Sequence, residues 1–71
     1  MSRFLVTTRR NLRTSAATAL QAVTGQPGVT VVDSNDPHMV TIEATEQDAG
    51  SLREKLKGTH FVEPEFRRSL H

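Results

Sequence analysis

The sequence has no cysteine, no tryptophan and no tyrosine. Without thiols it can build neither a disulfide staple nor a thiolate metal site. Its histidines, His38, His60 and His71, include no closely spaced pair. An H-x3-H ligand set is therefore missing, and neither a metal nor another cofactor is expected. Acidic residues are absent before Asp33, a stretch that holds Arg3, Arg9, Arg10 and Arg13. Such a start has the composition of a transit peptide, but Phe4 to Thr8 reads as a strand that the fold needs. Long apolar runs are missing too, so nothing has the length of a signal h-region or a membrane span. A cytoplasmic chain without membrane contact is expected. The sequence also lacks a G-x-S-x-G elbow, a P-loop and a paired-carboxylate arrangement, which argues against an enzyme.

What is present is enough for one small domain. Seventy-one residues, 35% of them apolar, allow a single modest core. A core of this size leaves a net stability of only about 3–5 kcal/mol, so a partner that holds the folded form would stabilise it by mass action.

Glycine and proline are few, and all but Gly50 fall where elements should end. Arg3 to Arg9 alternates Phe4, Val6 and Thr8 against Leu5, Thr7 and Arg9, the period of a strand. Thr14 or Ser15 can cap a helix carrying Ala16, Ala19, Leu20 and Val23 on one stripe. Gly25 and Pro27-Gly28 stop it. Val29 to Asp33 is a β-branched strand, and Ser34 to Pro37 is a turn. His38 to Ala44 sets Val40, Ile42 and Ala44 against Met39, Thr41 and Glu43. Thr45 and Asp48 open a second helix with Ala49, Leu52 and Leu56 on its apolar face, and Gly58 ends it. Thr59 to Glu63 is the fourth strand, ended by Pro64.

The order βαββαβ, with right-handed crossovers, predicts an α+β ferredoxin-like fold. It is a four-stranded antiparallel sheet with two helices on one face, spanning residues 1–65. Residues 66–71 form a tail. The other sheet face is expected to be bare, presenting Leu5, Thr7, Met39 and Thr41. Two alternatives share the topology. An RRM-like RNA binder would use Arg9, Arg10, Arg13, Arg67 and Arg68 on phosphates, but its central strands would offer only Phe4 for base stacking, and Glu43 would repel the backbone; nucleic acid is not the expected partner. An ACT-like amino-acid-binding module needs a glycine in the loop after the first strand, where this chain has none.

The C-terminal end suggests a different partner. Val62-Glu63-Pro64-Glu65, followed by six residues to His71, resembles the end of subtilisin-family propeptides, a family that includes free-standing inhibitors. Arg3-Phe4-Leu5-Val6-Thr7 resembles their opening strand. The resemblance implies a binder of a subtilisin-like serine protease, inhibiting it and templating its folding, and monomeric when free. Acting in trans is expected, since no protease domain follows. The family's bare sheet face packs on two parallel helices of the protease. By position, Glu63 and Glu65 would cap the N-termini of those helices. The tail would lie in the substrate groove as an added strand, with Arg68 in S4, Ser69 in S3, Leu70 in S2 and His71 in S1.

Overall fold

The computed structural model describes residues 1–65. Six apolar side chains from the strands and four from the helices do not pack separately; the alternation in each strand sends one set to a common side. Phe4, Val6, Val40, Ile42, Ala44 and Val62 turn inward from the sheet and meet Ala19, Val23, Ala49 and Leu52 from the helices. At about 25 cal/mol for each Å² removed from water, this cluster supplies the main driving force for folding. Leu20, Val29, Val31 and Leu56 close its rim.

The strands are β1 (Ser2–Thr8), β2 (Thr30–Asp36), β3 (Met39–Ala44) and β4 (His60–Pro64), and the helices are α1 (Ala19–Val23) and α2 (Glu46–Leu56). The sheet runs β2-β3-β1-β4 with every neighbour antiparallel, which is the ferredoxin-like arrangement. The inward alternation of β1, Phe4-Val6-Thr8, pairs with Ile42 and Val40 on one side and Val62 and His60 on the other. β1, like β3, is therefore paired on both edges.

Helix α1 is shorter than the sequence suggests and starts later. Its cap is Thr18, not Thr14 or Ser15: the Thr18 hydroxyl accepts from the Gln21 N–H, and the Gln21 side chain accepts from the Thr18 N–H. This reciprocal pair satisfies two of the donors that a helix start leaves open. Arg10–Leu12 forms a single 3-10 turn instead. β2 runs three residues past Asp33, because Asp36 pairs with Met39 across a two-residue turn. Two register shifts divide this strand. The turn is held by the Asp36 side chain, which accepts from the His38 N–H at 2.9 Å, as Asp commonly does at such positions.

Helix α2 follows the sequence closely. The Thr45 hydroxyl accepts from the Asp48 N–H at 3.1 Å, and Glu46 and Asp48 lie at the end where the helix dipole favours negative charge. Gly28, with φ +76°, needs to be glycine for two reasons. The left-handed conformation disfavours a side chain there, and a Cβ would collide with the Asp48 carboxylate. Among the described residues, no helix is long and apolar enough to cross a membrane.

Candidate functional site

The side of the sheet away from the helices is uncovered. Cross-strand register puts Arg3, Leu5 and Thr7 of β1 beside Glu43, Thr41 and Met39 of β3. On the other flank, Leu5 faces Glu63 and Thr7 faces Phe61. Met39 and Phe61 are 45% and 43% exposed, which is high for large apolar side chains on the two flanks of one strand. The middle of the face is therefore Leu5 with two threonines, flanked by Met39 and Phe61. Its charges sit at the ends. Arg3 reaches Glu43 at 3.5 Å across the strands, both about two-fifths exposed, and such a pair is worth about 0.2–1 kcal/mol. At the opposite end the Arg9 guanidinium lies 4.4 Å from the Phe61 ring centroid, within cation–π range.

Sequence reasoning placed Leu5, Thr7, Met39 and Thr41 on this face, and they are there. It did not single out Phe61. The signal was present, since His60 and Val62 point inward and a period of two turns Phe61 outward. Phe4, the one aromatic credited to the central strands, is buried. Among the described residues, those strands offer no aromatic surface to a nucleobase, and Phe61 stands on an edge strand.

Glu63 and Glu65 are both exposed. The Glu65 N–H donates to the Arg3 carbonyl at 3.0 Å, and Glu63 pairs with Leu5. The two carboxylates thus follow the outward alternation at the end of β4, as residues two apart in a strand do. Arg68, Ser69, Leu70 and His71 lie outside the described residues, as does the whole tail 66–71.

The backbone of β4 also has a free side. Arg9 donates to the Thr59 carbonyl and Glu65 to that of Arg3. This phase commits residues 59, 61, 63 and 65 to β1 and turns the N–H and C=O groups of His60 and Val62 away from the sheet. Arg53 of α2 closes part of that edge by donating from Nε to the Val62 carbonyl at 3.0 Å. Pro64 closes more, having no N–H to offer. Between α2 and this edge runs an open groove of about 400 Å³, walled by Arg9, Arg53 and Lys57 with the length of β4 as its floor. Arg9 Nη2 donates to the Lys57 backbone carbonyl at 2.8 Å, which ties the guanidinium to the end of α2. Nothing in the sequence signalled this groove, because Arg9 and Lys57 are brought together only by the β1–β4 pairing.

The histidines are structural where they are described. His60 is buried; its Nε2 meets the Ala17 carbonyl, just before α1, at 2.9 Å and its Nδ1 the Thr59 hydroxyl at 2.7 Å. His38 Nδ1 lies 3.2 Å from the Thr8 hydroxyl, so the buried Thr8 is satisfied. Among the described residues, no three His, Asp or Glu side chains come together as metal ligands would. Compared with known proteins, the chain matches no family model, no curated protein and no solved structure.

Proposed function

We propose that this chain is a propeptide-like inhibitor of a subtilisin-like serine protease, acting in trans and serving also as a template for the protease's folding. The observation that carries the reading is the uncovered sheet face, with Leu5, Met39 and Phe61 around a threonine centre and Glu63 and Glu65 at its rim. A small domain normally covers such a surface with a partner. The blunted β4 edge supports docking through the face over long strand pairing. Two exposed carboxylates in outward alternation suit the N-termini of two partner helices, where unpaired N–H groups and the dipoles favour negative charge. In this reading the six residues after Glu65 enter the substrate groove in extended form, main chain first.

Inhibition and direct binding against a panel of subtilisins test the proposal. Deleting Ser69, Leu70 and His71 should abolish competition with a peptide substrate while face binding survives, weakened. Glu63→Ala and Glu65→Ala should each weaken binding by about 0.3–1 kcal/mol, or up to about 2 if the contact is partly buried. Phe61→Ala should cost about 1–2 kcal/mol of binding, as loss of an exposed aromatic contact at an interface does. Wild-type protein that neither binds nor inhibits any subtilisin would overturn the proposal. Inhibition that survives tail deletion undiminished would refute the substrate-like mechanism.

A further inference from the structure

The groove beside β4 borders the open face and shares Phe61 and Glu63 with it, but its cations, Arg9, Arg53 and Lys57, have no part in the face docking just described. Its charge is lopsided: Arg9, Arg53 and Lys57 stand against one carboxylate, Glu63. Arg9 also keeps a buried Nε with no hydrogen-bond partner among the described residues. Lys57 meets Glu54 only at 3.6 Å, with both side chains mostly in solvent, so its charge is little committed. Below the cations, the outward N–H and C=O of His60 and the N–H of Val62 are available, while the Val62 carbonyl is held by Arg53. The floor is donor-rich, and its ladder is short.

We propose that this groove binds a short, extended, acidic segment of a partner protein. The segment's main chain pairs with His60 and the Val62 N–H, and its carboxylates meet Arg9, Lys57 and Arg53. Strand addition supplies main-chain bonds, and guanidinium–carboxylate contacts are among the stronger charge-assisted hydrogen bonds. The cations are not evenly spread. Arg9 and Lys57 lie at the His60 end, whereas Glu63 lies toward Pro64. The acidic residues of the ligand therefore belong at the His60 end, and a carboxylate beside Glu63 is disfavoured. In an extended ligand, alternate side chains point the same way, so acids two apart can face the cations together. Glu63 and the adjacent Glu65 also count against a nucleic acid, whose phosphates would pass them in unbroken series.

The test is a titration of the full-length, 15N-labelled chain with a blocked pentapeptide of alternating glutamate and valine at low ionic strength. The expected result is saturable binding whose largest amide shifts fall at His60 and Val62. A lysine-for-glutamate peptide should not bind. Lys57→Gln should weaken the peptide about fivefold, and since its only described ion pair is exposed, the fold should be unaffected. Arg53→Gln should weaken it at least as much, while Arg9→Lys, which keeps the charge, should retain most of the affinity. Lys55→Gln, outside the groove, should change nothing. No saturable binding at millimolar peptide overturns the proposal, as do shifts confined to Leu5 and Thr41 on the open face. Tighter binding of a thymidine oligonucleotide at the same residues overturns it in favour of a phosphate ligand. Loss of subtilisin inhibition in the Lys57→Gln variant would instead show that the groove belongs to the face interface.

Discussion

His60 shows how much one residue can carry in a small domain. It is buried, and its two ring nitrogens tie β4 to the segment before α1 through the Ala17 carbonyl and to its own neighbour Thr59. Replacing it by leucine keeps most of the volume but leaves the Ala17 carbonyl and the Thr59 hydroxyl without this partner. Urea denaturation of His60→Leu should show a loss of about 1–3 kcal/mol, the cost of unmaking buried hydrogen bonds. Hydrogen exchange should rise first in residues 13–17, which no other strand or helix includes. No partner for His60 was legible in the sequence, because Ala17 lies 43 residues away along the chain. By contrast, Phe4, Val6, Val40, Ile42 and Leu52 were legible as core from alternation and helical spacing alone. Leu20 was expected in the core as well and packs only at its rim. The small residues Ala19, Ala44 and Ala49 are buried in the same cluster.

At the level of elements, the strands were legible and the first helix was not. Period-two patterns over five to seven residues are hard to mistake when one face is apolar, and β1, β3 and β4 have them. Helix α1 is a single turn and a half, and several hydroxyl residues precede it: Thr14, Ser15 and Thr18 all resemble caps. Only Thr18 has a glutamine three residues on, the reciprocal signature. That pattern was visible in the sequence, but the apolar spacing of Ala16 with Ala19 and Leu20 pointed to an earlier start. Thermal or urea unfolding separates the two assignments. Thr18→Ala should cost about 1 kcal/mol, whereas Thr14→Ala, an exposed turn position, should stay within about 0.5 kcal/mol. Equal losses at both positions would mean that the helix begins earlier in solution.

For the whole molecule, the two edges of the sheet decide how it meets other chains. β2 carries two register shifts with Asp33 and Asp36 exposed, and β4 ends in Pro64 with its Val62 carbonyl occupied by Arg53. Bulges, charge and proline are the usual means of keeping an edge from recruiting its own copies. A Pro64→Val, Arg53→Ala double variant should therefore show a larger light-scattering mass than the wild type at the same concentration. Should the two masses be equal, edge protection lies elsewhere. The open face was foreseeable from the element order, while the groove depends on contacts between the first and last strands. Those same contacts bear on how fast the fold can be reached. β1 is made first, yet its partners are residues 39–44 and 60–64, so its pairings close loops that span most of the chain. Non-local pairing of this kind slows folding relative to helical domains of equal size. A ribosome-bound chain that has not yet emitted β4 must leave one side of β1 unpaired, which makes completion of this sheet a late event in its synthesis.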